Sequence, residues 1–136
     1  MATLTPYIFS EDAKAQAGFY TEALGGEILS LMTFAQLPDA DEATKDKVLH
    51  MAFVAGGVQF FMSDSPFNAV TRGSGMHLSL EFPSDAEAHD AFDKLSAGGR
   101  VVDPLKQQFW GSLFGVLEDK FGVLWQVTTP APSAQG

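Results

Sequence analysis

His77, Ser79 and Glu81 alternate with Met76, Leu78, Leu80 and Phe82. In an extended chain successive side chains point to opposite faces, so this run has one apolar side and one side carrying an imidazole, a hydroxyl and a carboxylate. Such groups can direct a ligand by hydrogen bonding or hold a proton, and histidine changes charge closest to neutral pH. The same parity sets Thr5, Tyr7 and Phe9 opposite Leu4, Pro6 and Ile8. It sets Gln59, Phe61 and Ser63 opposite Val58, Phe60 and Met62, and Leu124, Gln126 and Thr128 opposite Val123, Trp125 and Val127. If helices cover one side of a curved sheet, the other, concave side collects Thr5, Tyr7, Phe61, His77, Ser79 and Gln126, with His50 on the same face. That mixed lining is the composition of a small-molecule pocket. The plainer reading makes His77 a hydrogen-bonded pocket histidine, Glu81 a solvated strand end, and the acids Asp39, Asp41, Glu42 and Asp46 a solvated loop that can also act as a lid.

The elements that must position these residues come in two copies. Phe9, Asp12, Ala13, Ala15, Phe19, Gly25 and Gly26 recur 73 positions later as Phe82, Asp85, Ala86, Ala88, Phe92, Gly98 and Gly99, which is 7 identities in 18 ungapped positions where chance gives about one. Each copy reads as a strand, a capped helix and three further strands. In the first, a strand over 3–9 leads to a helix capped by Ser10 with Glu11 and Asp12 in its first turn, stopped by Gly25. Strands over 27–34, 48–55 and 58–63 follow, the last two joined by Gly56-Gly57 as a tight hairpin. In the second, a strand over 76–82 precedes a helix over 85–96, where Ser84 and Glu87 have capping-box spacing. Strands over 100–103, 112–118 and 123–128 follow, the last two turning through Asp119 to Gly122. The segments 35–47 and 65–74 read as irregular, and 129–136 as a disordered Pro, Ala and Ser tail.

Length and charge narrow the function. At 136 residues the chain has the length of one compact body. Its 17 acidic and 8 basic residues give a formal charge of −9, which disfavours nucleic acid and anionic membrane as partners. The absence of cysteine excludes disulfides, thiolate metal sites and thiol nucleophiles. No apolar run approaches the roughly 20 residues that span a bilayer. The first nine residues lack the basic and apolar regions of a signal peptide, and a cytoplasmic location is expected.

Several motifs resemble the vicinal oxygen chelate superfamily, also called glyoxalase/bleomycin resistance/dioxygenase, and within it the PhnB-like branch. They are Pro6-Tyr7-Ile8-Phe9, the helix end from Phe19 to Gly26, the run from Gly57 to Met62-Ser63-Asp64, Phe109-Trp110-Gly111, and Asp119-Lys120-Phe121-Gly122-Val123-Leu124-Trp125. The resemblance covers residues 4–128. It implies an α+β fold of two tandem βαβββ modules, 3–64 and 75–128, forming a cup-shaped mixed sheet in one domain, and a homodimer. It adds Trp110 to the residues expected to meet a ligand. In metal-dependent relatives four strands each give one ligand, and those positions fall here on Thr5, Phe61, His77 and Gln126. Only His77 is a good donor, so the resemblance implies a vestigial site, with no metal or other cofactor. The function expected is metal-free binding of a small molecule in the cup, as in the drug-binding members. The alternative is a metal-dependent lyase, isomerase or dioxygenase. PhnB-like chains also carry a demethylubiquinone methyltransferase label, but no Gly-rich loop here follows a first strand and opens a helix, as a nucleotide-type cofactor requires.

Overall fold

The computed structural model describes residues 1–131. The chain divides into two compact units between Thr71 and Arg72. Each is a βαβββ module with its own four-stranded mixed sheet, as the repeat predicts. The first contains β1 (Tyr7–Ser10), α1 (Ala13–Leu24), β2 (Gly26–Thr33), a 3₁₀ turn (Phe34–Gln36), β3 (Val48–Ala55) and β4 (Val58–Asp64). The second contains β5 (Leu78–Glu81), α2 (Asp85–Ser96), β6 (Arg100–Gln107), β7 (Leu113–Glu118) and β8 (Leu124–Thr128). Strand order is β1-β4-β3-β2 in one sheet and β5-β8-β7-β6 in the other. In each, the first strand pairs in parallel with the last and the remaining pairs are antiparallel.

Strand parity holds where the core is. Ile8, Phe60 and Met62 are buried, and Trp125 and Val127 have no exposed surface, while Gln59 is exposed and Phe61 and Gln126 are half-buried. In the first unit Phe53 and Phe60 stack with ring centroids 5.1 Å apart at an interplanar angle of 9°. Tyr20 from α1 closes over both, and its hydroxyl accepts from Gln16 Nε2 at 2.8 Å, so neither buried polar group is orphaned. In the second unit Ala88, Phe92 and Leu95 of α2 are buried. Buried Trp125 donates from its indole Nε1 to Asp119 Oδ2 at 2.8 Å. Asp119 Oδ1 accepts from the backbone N–H groups of Phe121 and Val123, so one carboxylate fixes the final turn and the largest core side chain together. Both hairpin glycines, Gly56 and Gly57, have positive φ, as a two-residue turn between twisted strands requires.

Local boundaries depart from the sequence reading for identifiable reasons. β1 begins at Tyr7, not at residue 3, because Pro6 has no N–H for the ladder; its carbonyl closes the pairing by accepting from Phe61 N at 2.9 Å. Ser10 is the last residue of β1, and the helix cap is Asp12, which accepts from Ala15 N. Glu11 and Asp12 therefore precede α1. The first-turn donor Ala13 N is met instead by Asp64 Oδ1 at 2.7 Å, a partner 51 residues away. The strand expected over 76–82 shortens to Leu78–Glu81; Met76, placed by parity in the core, is 85% exposed, since Gly73-Ser74-Gly75 leads into it without a ladder. Phe34 leaves β2 for the 3₁₀ turn. β6 runs four residues beyond 103, passing Pro104 with register shifts. Thr129, assigned to a disordered tail, is buried, with its hydroxyl accepting from Leu113 N at 2.9 Å; residues 132–136 of that tail lie outside the described residues.

Candidate functional site

The sequence-predicted residues fall in both units, and each unit holds its own group. In the first unit β1, β3 and β4 bring Tyr7, His50 and Phe61 together. Tyr7 and Phe61 are register partners of the parallel pair, and Ala52, which faces Phe61, is two residues beyond His50. The imidazole of His50 lies 5.1 Å from the Phe61 ring and 5.9 Å from Tyr7, and Tyr7 lies 6.2 Å from Phe61. Phe9 continues the row, 5.2 Å from Tyr7. Tyr7 is 45% exposed and Phe9 55%, so this aromatic row is a surface rather than a core. Thr5 is half-buried on the approach to β1 and outside the strand.

Beside this row is a cavity of about 290 Å³. Tyr7, Phe9 and Leu49 form one side of it; Phe34, from the turn after β2, and Phe67, from the segment after β4, form another, meeting edge to face at 6.1 Å. Ser63, Asp64, Ser65 and Asn68 supply its polar lining. Asp64 is held in place by Ala13 N on one oxygen and Val48 N on the other, both at 2.7 Å. Of this lining, sequence reasoning named Tyr7 alone as a ligand residue; it set Leu49 on the face opposite His50, read Phe34 as the end of a strand and residues 65–68 as connecting loop, and gave Asp64 no part in the site.

In the second unit the parallel pairing of β5 and β8 sets Ser79 beside Gln126, and Gln126 Nε2 is 3.1 Å from His77 Nδ1. With the amide nitrogen as donor, that ring nitrogen is the acceptor and the other carries the proton. His77 and Ser79 are exposed. Trp110, in the turn between β6 and β7, packs edge-on against Phe109 at 4.9 Å and Phe114 at 6.5 Å, so its ring neighbours are aromatic rather than the His77–Gln126 pair.

These donors do not fit a divalent cation. Phe61 offers no lone pair and its ring is packed by His50 and Tyr7, Thr5 offers a neutral hydroxyl, and the Gln126 amide is engaged with His77. Among the described residues no three His, Cys, Asp or Glu side chains gather into a metal-holding group. The glycines do not form a nucleotide loop either. Gly25 and Gly26 follow α1, and a Cβ on Gly26 would collide with the carbonyl of Val54, so backbone rather than a cofactor fills that approach. Among the described residues no helix is long and apolar enough to cross a membrane.

Known proteins with this arrangement agree with the module reading. Protein PA1353 from Pseudomonas aeruginosa is 31% identical, with a TM-score of 0.83 over 95% of this chain and 98% of that one. A PhnB protein from Bacillus cereus, named as a 3-demethylubiquinone-9 3-methyltransferase, is 28% identical with a TM-score of 0.78 over 95% of this chain and 100% of its own. Protein YjdN from Escherichia coli K12 is 26% identical over 91% of this chain and 92% of its own length. The family profile matches residues 3–127, and the chain belongs to the Glyoxalase/Bleomycin resistance protein/Dioxygenase superfamily.

Proposed function

We propose that this protein binds a small organic molecule against the mixed aromatic and polar faces of its modules, without a metal, and that it acts as a cytoplasmic homodimer. The observation that carries the reading is the half-exposed row of Phe9, Tyr7, His50 and Phe61 beside a cavity lined by both aromatic and polar side chains. Partly exposed rings give a ligand apolar area to bury, and a few hydroxyl, amide and carboxylate groups orient it. Methyl transfer draws no support from the fold.

Elemental analysis of purified protein, followed by a thermal-shift screen of small molecules, tests this. The expected outcome is less than stoichiometric zinc, nickel, iron or manganese together with at least one stabilising ligand. One metal per chain, lost in His77→Ala, would instead favour a metal-dependent lyase, isomerase or dioxygenase.

A further inference from the structure

We propose that the cavity beside β1 takes an organic cation, an ammonium or other onium group carried on an apolar body. This rests on the small-molecule reading above and names the ligand class. Four aromatic rings line the cavity, those of Tyr7, Phe9, Phe34 and Phe67. The face of an aromatic ring is electron-rich and attracts a cation lying within about 6 Å of it, the attraction growing as water is excluded. Only one charged side chain lines this cavity among the described residues, and it is the carboxylate of Asp64.

That carboxylate is fixed before any ligand arrives. Its two oxygens accept from Ala13 N and Val48 N, which hold α1 and β3 to the end of β4, and each oxygen keeps a further lone pair. An anionic ligand would be set against Asp64 with no cation in the lining to compensate. Lys47 lies in the adjoining cavity, where Glu11 and Asp64 also face, two carboxylates to one ammonium. The surroundings have the same sign, since residues 1–71 carry nine acidic and three basic side chains. Rings without a charge would take any flat apolar molecule. Rings with one immobile carboxylate discriminate by charge.

The test uses three soluble probes that share a benzyl or phenyl body: benzyltrimethylammonium, benzyl alcohol and benzoate. Each is titrated into the ¹⁵N-labelled full chain, and the backbone amides of Ser65, Phe67 and Asn68 are followed by NMR. The ammonium should bind about tenfold more tightly than the alcohol, a discrimination within reach of cation–π contacts aided by a carboxylate, and benzoate should bind most weakly. Asp64→Asn should abolish the preference. Because that change also disturbs two backbone contacts, Phe67→Ala is the second variant. Phe67 is 71% exposed, so its loss leaves the fold intact and should weaken the ammonium severalfold. If the alcohol or benzoate binds at these amides as tightly as the ammonium, or Phe67→Ala leaves its affinity unchanged, the cation assignment is overturned while small-molecule binding stands. If none of the three perturbs these amides, the cavity fails as a binding site and both readings of it fall.

Discussion

His77 and Leu80 sit three positions apart on one strand approach, yet their surroundings oppose each other. Leu80 is 8% exposed on the helix side of β5, whereas His77 is exposed and hydrogen-bonded to Gln126. Truncating a side chain that borders solvent removes little packing, so His77→Ala should cost less than about 1.5 kcal/mol. Leu80→Ala leaves a void and should cost about 2 to 5 kcal/mol. Urea melts of the two variants decide it, and a larger loss for His77→Ala would mean that the faces of β5 are reversed. The parity that separates these two residues was legible in the sequence, because an alternating strand cannot bury both sets. Met76 departs from this alternation. Alternation says which way a side chain would point if the strand reached it, and the glycines at 73 and 75 end the strand first.

The repeated glycines act at the scale of elements, and the structure explains why both copies carry them. Gly25 and Gly98 have φ of 77° and 78°, the left-handed stop after each helix. Gly26 and Gly99 then pass so close to a neighbouring strand that an added Cβ would strike the Val54 and Glu118 carbonyls respectively. The spacing is 73 at these glycines, but 72 in the strands and helices before them. Ile8 and Leu80 are both buried, Tyr20 matches Phe92 and Ala23 matches Leu95, with Ala97 the extra residue of the second copy. An ungapped comparison finds the module and misaligns its helix by one residue, enough to equate half-buried Phe19 with buried Phe92. Helix caps were similarly half legible: Ser84 is local to its helix, whereas Asp64 reaches α1 only through the fold. Gly26→Ala and Gly99→Ala should each lower stability by more than about 2 kcal/mol, because the obstacle in each case is backbone and cannot swing away. Thermal melts showing either variant within about 0.5 kcal/mol of the parent, as for an ordinary surface substitution, would contradict this close approach.

For the whole molecule, the repeat made the two-module architecture readable, while the cavity lining escaped because Phe34 turns off the end of β2 and Phe67 comes from a segment without a periodic pattern. The repeat also leaves open edges, since each sheet ends in two strands with only one neighbour in their own sheet. These edges are not equally guarded. β6 carries Arg100, Asp103 and Lys106 and is interrupted by Pro104, devices that discourage strand-to-strand association. β2 presents Ile28, Leu29, Leu31 and Met32, all exposed, and Glu27 is its one charge. An apolar edge of eight residues is a liability for a lone chain and a ready interface for a pair, and the two-fold dimer, whose interface sets the same patch of both copies together, is the commonest closed oligomer. The chain should therefore behave in light scattering as two copies of 14.6 kDa across micromolar concentrations. Leu29→Lys, which sets a charge at the β2 irregularity without breaking a ladder, should shift the mass toward one copy, whereas Val102→Lys in the already charged β6 should leave it unchanged. A parent mass of one chain would refute the dimer, and a response to Val102→Lys but not Leu29→Lys would move the interface to the other edge.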